Sequence, residues 1–374
     1  MKIFSNFESG NILVEKAQSP EDIQLSIPCD NQSEFAQWFH FRLESEPQVS
    51  HQFKLVNLAK SAYPEGWKDY DVVASYDREE WFRIPAQFDG DTLTFKVIPE
   101  YGSMYFAYFA PYSYDRHQDL LHQAQMNHNV TLETLGHTLD NNDMSLLTIG
   151  EPEEGKKRIW VIGRQHPGET MAEWFIEGLL QRLLDDTDTV GRALLDKAVF
   201  YVVPNMNPDG SIRGHLRTNA IGVNLNREWA EPSLDKSPEV YYVRERMLQT
   251  GVDMFLDIHG DEAIPYNFVA GSEGVPGYDD QMQSTEQAFK HALLTISPEF
   301  QDEVGYPKDK PGKANLTVGS NWVNHQFHCL SYTVEMPFKD HIAHPDEFYG
   351  WSPERSVAFG QDVLAAVWAV VDKV

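Results

Sequence analysis

The chain has 374 residues, enough to bury a large core and to form two domains. Its 30 basic and 57 acidic residues leave a formal charge of −27, which disfavours a nucleic-acid backbone or an anionic membrane surface as partner. A hydrophobic content of 41% excludes a disordered chain, and no stretch approaches the roughly 20 apolar residues of a membrane span.

Residues 1–14, "MKIFSNFESGNILV", hold no apolar run of signal-peptide length. The two cysteines, Cys29 and Cys329, do not make a disulfide framework and point to a reducing compartment. A cytoplasmic location is therefore expected. From about residue 11 to 115 the chain reads as strands. "FAQWFHFRLE" (35–44) sets Phe39 and Phe41 against His40 and Arg42, "DTLTFKVIPE" (91–100) alternates again, and "SMYFAYFAPY" (103–112) is aromatic and β-prone. Gly, Asp, Asn and Pro at short intervals predict a small β-sandwich.

After residue 115 the texture changes. "DRHQDLLHQAQMNH" (115–128) predicts a helix, and apolar strands then alternate with amphipathic helices. The strands are "RIWVIG" (158–163), "KAVFYVVP" (197–204), "VDMFLDIH" (252–259) and "CLSYTVEM" (329–336). The helices cover 171–186, 238–250 and 352–371. This order predicts an α/β domain over 116–374, with a doubly covered, largely parallel sheet, after a smaller sandwich domain over 1–115.

Polar residues gather at the carboxyl ends of those strands, where open α/β sheets bind ligands. His166 and Glu169 follow "RIWVIG", Asn205, Asn207 and Asp209 follow "VFYVVP", His259 ends "MFLDIH", and Glu335 ends "LSYTVEM". A catalytic zinc takes three His or Glu ligands and keeps one position open. A His-x-x-Glu pair supplies a short-range half-site, and His259 is the best-placed third ligand. Read without that context, "HPGE" is also an ordinary polar turn, and Glu173 is a second candidate partner for His166. Arg217 and Arg227 lie in an Asn- and Gly-rich loop. Guanidinium groups there suit a carboxylate or a developing oxyanion, although solvated surface arginines look the same. Glu335 sits in "YTVEMPF", where burial raises a carboxyl pKa and suits it to general-base work.

Together "HPGE", "NMNPDG", "NLNREW", "LDIHG" and "YTVEMPF", in this order, resemble the zinc carboxypeptidases, and the N-terminal "QWFHFRLE" and "MYFAYFAPYSY" resemble their cytosolic branch. Carboxypeptidase A holds its zinc with this His₂Glu ligand set. The resemblance implies a metallocarboxypeptidase with one zinc per chain held by His166, Glu169 and His259. Arg217 would stabilise the oxyanion, Asn226 and Arg227 would hold the substrate carboxylate, Glu335 would be general base and acid, and Ser320 and Asn321 would line the specificity pocket. The implied substrate is a peptide or a protein C-terminal tail. Nothing in the residues predicts an oligomeric state.

The chain departs from the family pattern at two points. Asn224 stands where relatives often carry an Asp that orients the first zinc His, and "KPGKANLTVG" (310–319) lacks the mobile tyrosine of the digestive enzymes. Tyr306 lies nearby without an assigned role. Eukaryotic members of the branch trim glutamates with basic pocket groups, which makes Lys308, Lys310 and Lys313 candidates. Two rival readings remain: a zinc amidohydrolase acting on N-acyl amino acids or small amides, and a non-catalytic module binding peptide C-termini.

Overall fold

Short alternating runs in the first part form ten strands in the computed structural model, which describes residues 1–374. These are β1 (Lys2–Phe4), β2 (Leu13–Lys16), β3 (Ile23–Ser26), β4 (His40–Glu44), β5 (His51–Leu55), β6 (Val72–Ser75), β7 (Phe82–Ile84), β8 (Ala86–Phe88), β9 (Leu93–Val97) and β10 (Ser103–Ala107). They build two sheets, β1-β4-β10-β6-β7 and β2-β3-β5-β9-β8. Phenylalanines at alternate positions turn inward: Phe53 and Phe106 meet across the gap with ring centroids 5.3 Å apart, and Phe53 stacks at 4.9 Å on Phe95 of the adjacent strand in its own sheet. This is the β-sandwich expected from the alternation.

All three of the predicted strand runs, 35–44, 91–100 and 103–112, give strands of only five residues. Residues 35–39 leave the ladder because the Gln37 side chain binds the Tyr63 backbone and the Tyr108 hydroxyl instead. The aromatic run after β10 serves the seam between the two parts. Tyr108 stacks on Phe338 at 4.7 Å, and Tyr112 meets Trp174 edge-on and donates to Glu177. Arg83 of β7 also donates to the carbonyls of Phe338 and Trp351. One contiguous apolar core therefore runs from the sandwich into the second part.

That second part starts at α1 (Tyr114–Ala124), capped by the Ser113 hydroxyl. Its strands are β11 (Val130–His137), β12 (Asp143–Ile149), β13 (Lys157–Gly163), β14 (Ala198–Val203), β15 (Met254–Asp261), β16 (Phe268–Ala270) and β17 (Leu330–Pro337). The helices are α2 (Met171–Leu183), α3 (Thr189–Lys197), α4 (Pro208–Arg213), α5 (Pro238–Thr250), α6 (Asp280–Ile296), α7 (Gly319–Phe327) and α8 (Pro353–Val370). The sheet order is β11-β12-β14-β13-β15-β17-β16. The four central strands run parallel, and β11, β12 and β16 pair antiparallel at the edges.

The central strands are apolar on both faces because both faces are covered. Ile159 and Val161 of β13 join the core under α2 and α8, while Trp160 and Ile162 join a second core with Val240 and Val243 of α5 and Trp322 of α7. The sequence pattern does not mark the helices at 189–197, 280–296 and 319–327 or the edge strands. No helix is long and apolar enough to cross a membrane.

Candidate active site

Three of the parallel strands deliver the chemistry to one sheet edge. The turn after β13 carries His166 and Glu169, β15 carries His259, and β17 carries Glu335 beside it, with His259 and Glu335 in register. A buried scaffold fixes the first turn. Arg164 donates to the Pro167 and Tyr112 carbonyls and pairs with Glu173, which also binds His117 Nδ1 at 2.8 Å and the Asn205 amide. Glu173 is thus committed to this scaffold and is not a partner of His166. The "NPDG" turn packs against it from the other side. A Cβ at Gly210 would lie 2.3 Å from Pro167 Cγ and 2.5 Å from the Thr218 carbonyl, so only glycine permits the approach. Asn205, Asn207 and Asp209 hold this turn and its helix cap and do not line the cleft.

The donor set suits a cation. One ligand atom from each of His166, Glu169 and His259 lies within 4.8 Å of the others, and all three residues are buried. Both Nδ1 atoms face the Glu169 carboxylate at 2.7 Å, one on each oxygen. The Nε2 atoms point away, His166 Nε2 to Asn224 Oδ1 at 3.2 Å and His259 Nε2 to Asp257 Oδ1 at 3.0 Å, the latter an ion-pair contact rather than an aligned hydrogen bond. In the tautomer with the proton on Nε2, each Nδ1 lone pair is free beside the Glu169 carboxylate, an arrangement that a divalent ion satisfies.

The two imidazoles differ electrostatically. Burial, with the Arg217 charge beside it, lowers His166 to about 3. Burial also opposes a charge on His259, but Asp257 and Glu169 override it and raise that pKa well above the ordinary value. The Glu169 carboxyl, though buried, is held low by its two histidine neighbours. His166 has the neutral amide of Asn224 where His259 has the Asp257 carboxylate. Asn224→Asp is accordingly expected to tighten zinc binding by up to about tenfold, read by competition with a chelator.

A cleft of roughly 560 Å³ opens over these residues. It brings together the nine residues to which the family resemblance gives a role: His166, Glu169, Arg217, Asn226, Arg227, His259, Ser320, Asn321 and Glu335. Burial pushes the Glu335 carboxyl well above the usual carboxylate range. His259 and the Tyr306 hydroxyl pull it down, and Glu169 and Asp261 push it up. Its Oε1 accepts from Tyr306 at 3.0 Å, while Oε2 makes no hydrogen bond. Asn226 Oδ1 is taken by the Gly319 N–H at the start of α7, and its amide NH₂, the group left to face a ligand, also lies 3.4 Å from His259 Nε2. Ser320 Oγ contacts Thr333 Oγ1 at 2.9 Å, and the Asn321 amide donates to the Asn315 carbonyl.

Of the three candidate lysines only Lys308 lines the cleft, paired with Glu273 at 2.7 Å; Lys310 and Lys313 stay exposed outside it. The other cleft lysine, Lys290, comes from α6 and pairs with Asp302 at 3.0 Å. Tyr306, Glu262 and Tyr63 also line the cleft. Tyr306 is visible in the sequence as a tyrosine near the expected position. Tyr63 carries no sequence signal, since it belongs to the sandwich.

Beneath the Arg217 loop, Glu239 at the start of α5 is fully buried, with Asn219 Nδ2 3.4 Å away. Burial pushes its carboxyl up to about 8. A raised carboxyl pKa contributes stability that is complete below about pH 4.5 and is lost as pH climbs through 8. Glu239→Gln is therefore expected to melt higher than the parent chain by a margin that widens between pH 5 and 8, up to roughly 4 kcal/mol. An equal margin at both pH values would rule this out.

The fold and site define a zinc peptidase of the α/β type. Residues 118–356 match the zinc carboxypeptidase family and residues 3–109 the cytosolic carboxypeptidase N-terminal domain, and the chain belongs to the zinc carboxypeptidase family. The structure is similar to that of a metallo-carboxypeptidase from Burkholderia cenocepacia, with TM-score 0.98, 49% identity and 100% of each chain covered. It is also similar to a metallo-carboxypeptidase from Pseudomonas aeruginosa in complex with (2-guanidinoethylmercapto)succinic acid, with TM-score 0.97, 48% identity and 100% of each chain covered. Cytosolic carboxypeptidase 6 of Mus musculus is 28% identical, over 90% of this chain and 66% of that protein. The chain is a metallocarboxypeptidase.

Proposed function

We propose that this enzyme releases the C-terminal residue of peptides or flexible protein tails, with one zinc ion per chain held by His166, Glu169 and His259. The observation that carries this is the convergence of both Nδ1 atoms on Glu169 in the cleft that also holds Glu335 and two arginines. A bound zinc ion supplies Lewis acidity, polarising a substrate carbonyl and acidifying water. Arg227 and the Asn226 amide hold the substrate carboxylate. Ser320 and Asn321 line the pocket for the last side chain. Arg217, whose guanidinium has no hydrogen-bonding partner in the protein, faces the oxygen that gains charge as the carbonyl is attacked. Glu335 takes a proton from the attacking water and passes it to the leaving amine as the peptide C–N bond breaks.

The ligand of the Pseudomonas relative carries a succinic acid, which presents carboxylates as a peptide terminus does. That agrees with a carboxylate-gripping arginine here. The names of the cytosolic relatives and the two free cysteines support a cytoplasmic site of action. We assign residues 1–115 to the sandwich domain and 116–374 to the catalytic domain. The test is zinc content by elemental analysis, run with a peptide library carrying free or amidated C-termini and with N-acyl amino acids. Zinc near one per chain and release from free C-termini alone is the expected result. Release from N-acyl amino acids only would make the enzyme an amidohydrolase, and zinc without any release would make it a binding module.

A further inference from the structure

We infer that the sandwich domain completes the active site by positioning Arg217, with Asp30 as the positioning residue; this rests on the role proposed for Arg217 above. Asp30 lies in the loop between β3 and β4 and is buried. Its Oδ1 accepts from the Leu216 N–H at 2.7 Å, and its Oδ2 accepts from the Arg217 N–H at 2.8 Å, the Thr218 N–H at 2.9 Å and the Thr218 hydroxyl at 3.0 Å. Three consecutive backbone donors on one carboxylate are charge-assisted bonds that fix the dihedrals of the segment. The direction in which the Arg217 side chain leaves the backbone follows from those dihedrals.

The same loop of the sandwich holds the segment at two further points. Asn31 binds His215 Nε2 through its N–H at 3.2 Å and the Ala220 carbonyl through its amide at 2.7 Å. The sandwich also shelves the guanidinium itself. Arg217 Cζ lies 5.5 Å from the ring centroids of both Phe35 and Tyr63, and Arg217 forms no ion pair. Aromatic faces hold a cation without consuming its N–H donors. All five donors thus stay available in the cleft, and a group that stabilises developing charge works only if it is preorganised. The backbone clamp and the aromatic shelf both come from the sandwich, so that domain does more than wall the cleft.

The test uses the full chain with Asp30→Asn, Arg217→Ala and the double variant. Asp30→Asn is expected to lower kcat by about 10- to 100-fold with KM changed by less than about threefold. Zinc content should stay at the parent level, and deuterium exchange at the 216–218 amides should accelerate. The double variant should be no slower than Arg217→Ala alone, because the clamp acts through the arginine. Parent-like kcat in Asp30→Asn, or losses that multiply in the double variant, would overturn the inference. If Asp30→Asn does not fold, Phe35→Leu combined with Tyr63→Leu tests the shelf, with the same kcat-selective loss expected and parent-like kcat counting against it. An inert parent enzyme would sink the peptidase reading, whereas unchanged amide exchange in Asp30→Asn would sink the clamp alone.

Discussion

Glu335→Gln is expected to cut kcat by about 10²- to 10⁴-fold while leaving zinc content and KM close to those of the parent. Glutamine has the same shape, and its carbonyl can still accept the Tyr306 hydroxyl bond seen at Oε1. It cannot take up a proton from water. The carboxylate it replaces is buried, with one oxygen making no hydrogen bond, next to the donor set on the neighbouring strand. An effect confined to kcat therefore reports lost proton transfer, not lost binding. Steady-state kinetics on a peptide with a free C-terminus decides the matter. A variant within about tenfold of the parent would remove Glu335 from the role of base.

His259→Ala is expected to abolish stoichiometric zinc and bring peptide hydrolysis down to background. Its imidazole is one of only three donors, and the ring sits between Glu169 and Asp257. Added zinc at about 100 times the parent Kd should stabilise the parent chain by about 2.7 kcal/mol and leave the variant's melting unchanged. The variant should also be less stable without zinc. Removing the ring leaves two buried carboxylates without their shared partner, a loss of about 3 kcal/mol or more. Melting curves with and without zinc separate the two contributions. Full zinc occupancy in His259→Ala would show that the ion binds elsewhere.

The parts of the fold that are legible in the sequence are those written in a local period. The strands 158–163 and 197–204 and the helices 171–186 and 352–371 lie within a residue or three of β13, β14, α2 and α8. Elements whose apolar faces are narrow or mixed leave no such mark. α6 buries Lys290 and Glu286 alongside Phe289, and α7 begins in a Gly-Ser run. Both matter to function, since α6 brings Lys290 to the cleft and α7 brings Ser320.

The sequence by itself determined the ligand types, their order and their attachment to strand ends, because a His-x-x-Glu pair, a strand-ending His and a strand-borne Glu are short-range facts. Which atoms meet was decided only by the tertiary structure. Glu173 went to Arg164 and His117, Asn226 lent its oxygen to α7, and Tyr306 reached Glu335 across 29 residues. The contribution of the sandwich was the least visible, since Asp30 and Tyr63 meet Arg217 across more than 150 residues of chain. A carboxylate in a polar loop has no local pattern that names its partners. Its role is set when packing of the two domains takes it out of water and leaves three backbone N–H groups as its nearest donors.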